Sequence, residues 1–231
     1  MLVYAGTRAV MRLAASTLCP LRVEGAEHVP RDGPALLAGN HLSACDTFFL
    51  MAAVPRRLVF LGKAEYFRTR SPGGLLSRAW CAGLGFLPVD RDGGPAAARR
   101  SLALAAATLA GGAGLAVYPE GTRSPDGRLH RGRSGAAAMA LASGAPLVPF
   151  GIVGTDRVQP VGCSGLRPHP VTVRFGPPLP YEGFLARERR PDGLATTAVL
   201  RELTLLLMQN VSRLSGQVYV DTYAPRARRR P

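Results

Sequence analysis

His41 precedes Asp46 by five residues in the run Asn40-His41-Leu42-Ser43-Ala44-Cys45-Asp46. A carboxylate accepting from one ring nitrogen fixes the imidazole tautomer and leaves the other nitrogen bare, ready to take a proton from a hydroxyl. Asp46 has a second use at this place, as a cap for the helix that begins there. Two arginines stand just past apolar runs of strand character. Arg91 follows Gly85-Phe86-Leu87-Pro88-Val89-Asp90, and Arg123 follows Val117-Tyr118-Pro119-Glu120-Gly121-Thr122. A guanidinium presents paired donors that match phosphate oxygens, so two of them at strand ends read as an anion clamp; taken singly they read as surface charge or salt-bridge partners. A further apolar run, Val148-Pro149-Phe150-Gly151-Ile152, completes a set of four blocks.

These groups need elements to hold them. Short apolar runs predict strands at 21–24, 35–38, 57–61, 85–89, 115–118, 147–153 and 171–175, bounded by turn-rich segments such as Val29-Pro30-Arg31-Asp32-Gly33-Pro34. Helical patterns cover 46–53, 74–82, 95–110, 134–143 and about 194–214, with Pro95 in a first turn and Gly111-Gly112 and Gly144 as stops. Strands alternating with helices predict a single α/β domain with a mixed, largely parallel sheet flanked by helices, over residues 21–224. Functional sites in such sheets form where loops leave the strand ends. Residues 1–20 are expected to form an N-terminal amphipathic helix: Arg8 and Arg12, four apart, share one face, and Leu2, Val3, Val10, Leu13 and Ala14 lie largely on others. Packing against the core and anchoring at a membrane surface are both open to it. The basic end, 225–231 with Arg228-Arg229-Arg230, reads as a disordered tail.

Composition narrows the partners. The chain has 231 residues and a net charge of +14, from 29 basic and 15 acidic residues, so an anionic partner is expected. Lys63 is the only lysine, and the arginine skew alongside 27 Gly and 20 Pro discounts part of that charge as coding bias. Cys19, Cys45, Cys81 and Cys163 lie far apart without a C-x-x-C pair, which points away from a metal site or a disulfide framework. Gly132-Arg133-Ser134-Gly135-Ala136 and Gly162-Cys163-Ser164-Gly165-Leu166 both miss the G-x-S-x-G of a serine hydrolase, and Gly62-Lys63 lacks the rest of a phosphate-binding loop. The charge-free runs 101–119 and 134–155 are long enough to span a bilayer but are Ala-rich and broken by turn residues, and the first eighteen residues lack the marks of a signal peptide. A nonenzymatic basic protein binding nucleic acid or anionic lipid is the rival from another class; few aromatics and no recognition motif speak against nucleic acid.

In order and spacing the four blocks resemble those of the 1-acyl-sn-glycerol-3-phosphate acyltransferase family of glycerolipid acyltransferases. NHLSACD is similar to its H-x4-D block, GFLPVDR to its second, YPEGTRS to its third and VPFGI to its fourth, over residues 33–155. Lys63-Ala64-Glu65 falls where the family often has K-x-E, and Arg133-Ser134-Gly135 where it commonly has K-x-G. Tyr118 replaces a usual Phe, read here as a harmless swap. The resemblance implies transfer of a fatty acyl group from acyl-CoA or acyl carrier protein to the free hydroxyl of lysophosphatidate, without cofactor or metal. It implies His41 as general base with Asp46 orienting it, and Lys63, Arg91, Glu120, Gly121, Thr122 and Arg123 as acceptor-binding residues. The same chemistry on glycerol-3-phosphate or another lysolipid is the main alternative. With one short apolar stretch at the N-terminus, a peripheral or monotopic enzyme on the cytoplasmic face of the membrane is expected.

Overall fold

The computed structural model describes residues 2–64, 67, 72–90, 93–163, 165–186 and 195–225. Helix α1 (Leu2–Thr17) leads to β1 (Leu21–Glu24), β2 (Ala35–Gly39), α2 (Asp46–Ala53), β3 (Leu58–Lys63), α3 (Pro72–Gly83), β4 (Phe86–Val89), α4 (Gly94–Ala110) and β5 (Gly114–Val117). There follow β6 (Leu129–His130), α5 (Gly135–Ser143), β7 (Leu147–Val153), α6 (Thr155–Val158), β8 (Val171–Phe175), α7 (Glu182–Leu185), α8 (Thr197–Ser215) and β9 (Tyr219–Val220).

Seven strands form one sheet in the order β1-β8-β7-β2-β5-β3-β4, and β6 pairs with β9 in a separate two-stranded ribbon. The pairs from β7 through β4 are parallel, β1 is parallel to β8, and only β7 against β8 is antiparallel. This is the predicted α/β, mixed but largely parallel sheet. β2 is buried at every position, the continuous apolar run expected of a parallel strand covered on both faces. Its residues alternate between the two halves of the core. Leu37 packs with Tyr4, Phe49, Leu50 and Met51 from α1 and α2, while Leu36 packs with Leu109, Ala137 and Leu207 from α4, α5 and α8.

The crossovers explain where a site can form. From β2 the chain passes over β5 to reach β3 and lays α2 on one face; from β5 it passes over β2 to reach β7 and lays α5 on the other. Connections of one hand running in opposite directions must use opposite faces, and they part at the carboxyl ends of β2 and β5. Those two ends deliver His41 and Glu120.

The N-terminal helix departs from the usual amphipathic arrangement. Its arginines reach along α2: the half-buried Arg8 donates through Nη2 to the Val54 carbonyl at 2.6 Å, and the exposed Arg12 through Nε to that of Ala52 at 3.4 Å. They serve the carbonyls at the end of α2, which have no partner within their own helix. Tyr4 is buried and its hydroxyl accepts from Leu58 N at 3.0 Å. Leu2, Val10 and Leu13 are left 89, 65 and 66% exposed. Packed on α1 through Gly83 against Val3, helix α3 adds the exposed Leu75, Leu76 and Trp80. Among the described residues no helix is long and apolar enough to cross a membrane.

The predicted strands at 21–24, 147–153 and 171–175 and the helix at 46–53 have the observed bounds, and the remaining main elements shift by one to three residues. The ribbon β6–β9 was not predicted; two-residue strands separated by some ninety positions carry no local periodicity. Of the tail, 226–231 lies outside the described residues, as do Glu65 and Arg91.

Candidate active site

The turn after β2 is set by a close approach. At Gly39 a Cβ would lie 2.4 Å from the ring and carbonyl of Phe150, so only glycine lets β2 run this close to β7. The backbone ladder stops there, and the side chain of Asn40 continues it: Oδ1 accepts from Ile152 N at 2.7 Å and Nδ2 donates to Ile152 O at 2.8 Å. Because a side chain has taken over the pairing, the backbone is free to leave the sheet. His41 is the next residue.

His41 Nδ1 lies 2.7 Å from Asp46 Oδ2, which also accepts from the backbone N–H groups of Leu42 at 2.7 Å and Ser43 at 2.9 Å. Three donors converge on this one oxygen, so Nδ1 is the ring nitrogen that donates and Nε2 is left as the acceptor. Asp46 is fully buried at the first residue of α2, where the helix dipole favours its charge. Its carboxylate does not cap its own helix, as the sequence also allowed; it binds the loop before it. The His41 side chain remains 18% exposed, and Nε2 has no hydrogen-bond partner among the described residues.

The imidazole lies flat on Tyr118, the residue after β5, with ring centroids 4.0 Å apart and planes 13° apart. Tyr118 stands edge-on to Phe150 at 6.1 Å, and its hydroxyl is 3.1 Å from Thr47 Oγ1 in α2. The exchange of Phe for Tyr thus adds a tie between the floor of the ring and the helix that carries Asp46. Burial pushes the Tyr118 phenol well above its ordinary range, so it acts as a neutral donor or acceptor.

Glu120 is buried, and its two oxygens accept from the backbone N–H groups of His41 at 3.4 Å and His130 at 3.0 Å. Ser124 N donates to the His41 carbonyl at 2.7 Å. The carboxylate therefore fastens the loop after β2 to the loop after β5; it faces backbone, not an arginine. Gly121 completes the turn at φ +74°, with its N–H on the Tyr118 carbonyl at 2.9 Å. Thr122 is half-buried. Arg123 is exposed and has no carboxylate partner among the described residues. Lys63 ends β3 in register with Val89 at the end of β4, so the two strands finish together at one edge of the sheet. Arg91 and the Lys63 side chain lie outside the described part. Sequence reasoning gave no role to Asn40 or to the Tyr118 stack; the Asn-His pairing directly after a buried strand was the only signal for the first.

Burial pushes the Glu120 carboxyl up to about 7, against a partly offsetting pull from its two N–H donors. The folded chain holds this proton more tightly than the unfolded chain, whose carboxyl titrates near 4.5, so the stabilisation is complete below about pH 4.5 and is lost as pH rises through 7. Compared with Glu120→Gln, wild-type protein should lose about 1–3 kcal/mol of unfolding free energy between pH 4.5 and 7.5. Urea titrations across that range measure it; parallel curves for the two proteins would contradict the assignment.

Cys45 is buried, and burial pushes its thiol up to about 11, which makes it a packing residue. All four cysteines are free, and among the described residues no His, Cys, Asp and Glu cluster could hold a metal.

The sequence profile of the Acyltransferase family matches residues 20–153. A 1-acyl-sn-glycerol-3-phosphate acyltransferase of Limnanthes douglasii is 34% identical over 161 residues, 69% of this chain and 54% of that protein. The alpha form of the same enzyme from Bos taurus is 29% identical over 194 residues, 82% of this chain and 63% of the relative. The chain thus spans about half the length of the plant relative. Among solved structures, the 1-acyl-sn-glycerophosphate acyltransferase PlsC of Thermotoga maritima superposes with a TM-score of 0.66 at 25% identity, covering 91% of this chain and 79% of that one. With the profile spanning more than half of its length, and the His41–Asp46 pair and the Glu120 loop inside the matched range, this chain belongs to the acyltransferase family.

Proposed function

We propose that the protein transfers a fatty acyl group from acyl-CoA or acyl carrier protein to the free hydroxyl of lysophosphatidate, giving phosphatidate. The observation that carries this is the bare Nε2 of His41, partly open to solvent on an imidazole fixed by Asp46 and Tyr118. Nε2 takes the hydroxyl proton as the alcohol oxygen attacks the thioester carbonyl. The imidazolium is stabilised by Asp46, the tetrahedral intermediate expels the thiolate, and the proton passes to the departing sulfur. No acyl-enzyme is required. The relatives, 1-acyl-sn-glycerol-3-phosphate acyltransferases by name, support lysophosphatidate as acceptor. Arg123, on the loop clamped by Glu120 and turned by Gly121 and Thr122, holds the phosphate, with Lys63 and Arg91 as further cations.

The outward apolar residues of α1 and α3 seat the enzyme on a bilayer. Each Leu-sized side chain inserted contributes up to about 1.5–3 kcal/mol. The charge of +14 favours an anionic leaflet, as on the cytoplasmic face.

The test is one labelled acyl-CoA offered to lysophosphatidate, glycerol-3-phosphate and neutral monoacylglycerol, each presented with anionic vesicles. Lysophosphatidate should give the highest kcat/KM, and equal use of phosphorylated and neutral acceptors would refute the phosphate clamp. In the same preparation the double change Val10→Asp, Leu13→Asp should reduce co-sedimentation with vesicles about tenfold or more. Unchanged sedimentation would return those side chains to the class of scattered surface apolars.

A further inference from the structure

Beyond the range matched by the family profile, the chain returns to the site. After α8 the segment 217–224 runs alongside residues 127–133. Gln217 Nε2 donates to the Gly127 carbonyl and its Oε1 accepts from Asn40 Nδ2, both at 2.7 Å. Leu129 N donates to the Val218 carbonyl and Arg131 N to that of Thr222, both at 3.0 Å. The end of this strap places the Tyr223 ring under two guanidinium groups, Arg133 at 5.2 Å and Arg131 at 5.4 Å from its centroid.

The two arginines are treated differently. Arg131 is gripped by both oxygens of Asp221, through Nε and Nη2 at 2.7 Å each. Arg133 is exposed and has no carboxylate partner among the described residues. It is also the one at the acceptor loop: its backbone N–H donates to the Pro119 carbonyl at 2.8 Å, and its Nε lies 3.2 Å from where a Cβ on Gly121 would stand. An aromatic face restrains a long cationic side chain without neutralising it, so the ordering cost is met before a ligand arrives.

We propose that this strap sets the recognition of a phosphate monoester from outside the matched range: Tyr223 positions Arg133 over the Gly121 turn as a ligand for the phosphate, and Asp221 withholds Arg131 from it. The proposal rests on the acyl-transfer reading for the identity of the phosphate's bearer, but the anion site stands on its own geometry. Asp221 is then a specificity residue, since it limits the number of guanidinium groups free to meet the anion. Tyr223 and Asp221 act through the arginines and are positioning residues.

The experiment uses the full chain and two readouts: calorimetric titration with glycerol-3-phosphate, with glycerol as control, and steady-state kinetics with lysophosphatidate. Arg133→Ala should weaken glycerol-3-phosphate binding and raise the lysophosphatidate KM about 10–100-fold, with kcat little changed. Tyr223→Ala should weaken both about two- to fivefold, and Tyr223→Phe, which keeps the aromatic face, should restore them. Asp221→Asn should tighten glycerol-3-phosphate binding by freeing Arg131. Unchanged binding and KM in Arg133→Ala would overturn the proposal, as would a Tyr223→Phe protein as impaired as Tyr223→Ala, or weaker binding in Asp221→Asn. A protein that binds glycerol-3-phosphate through Arg133 but acylates no acceptor would leave the site standing and overturn the acyl-transfer reading instead.

Discussion

His41→Ala should lower kcat for acyl transfer by about 10²–10⁴-fold, or ~3–5 kcal/mol of transition-state stabilisation, with the fold retained. Retention is expected because the ring gives the core little: it is half-buried, contacts Tyr118 by one face, and donates one hydrogen bond to a carboxylate that keeps two backbone donors after the change. Alanine leaves the loop's own tie intact, since Ser124 N bonds the His41 carbonyl and not the side chain. Circular dichroism and thermal melting against wild type separate loss of chemistry from loss of structure. Turnover within a factor of about three of wild type would exclude a general-base role.

Asp46→Asn is the second large effect, and its size discriminates between two roles for the carboxylate. Three donors converge on Oδ2, whereas the buried Oδ1 has no hydrogen-bond partner. An asparagine therefore places its carbonyl at the Oδ2 position, because its NH₂ group there would face the N–H groups of Leu42 and Ser43. The tautomer of His41 survives and only the negative charge is lost. We expect kcat to fall about 10²–10³-fold, because the imidazolium formed during the reaction loses its counter-ion. A change within twofold in kcat would confine Asp46 to holding the loop. The accompanying destabilisation, an NH₂ buried without an acceptor, should reach about 1–3 kcal/mol by urea titration.

The elements with strong local signals were legible from residue order. The helix beginning at Asp46 and the apolar strands at 147–153 and 171–175 have their observed bounds because each is flanked by turn residues and is internally consistent. The His41–Asp46 pair was legible for the same reason, being a short-range spacing placed after a buried strand. What stayed hidden depends on residues far apart in the chain. Asn40 bonds Ile152, 112 positions away, and the Tyr223 platform needs β9 to find β6. Glu120 shows a further limit. The resemblance implied an acceptor-binding role, whereas its contacts to the N–H groups of His41 and His130 are visible only in the packing of the two loops. The arginines of α1 left the packing side open, since hydrophobic periodicity identifies two faces but not which of them meets the core.

The hold of α1 on α2 has a practical consequence for dissecting the protein. The stretch from Leu2 to Thr17 is no detachable float: Arg8 and Arg12 grip the far end of the very helix whose first residue is Asp46, and the Tyr4 hydroxyl meets the first residue of β3. A truncation that removes it strips partners from two elements of the interior, so a dead truncate would not distinguish a lost foothold on lipid from a loosened catalytic framework. Only substitutions confined to its outer side chains separate the two.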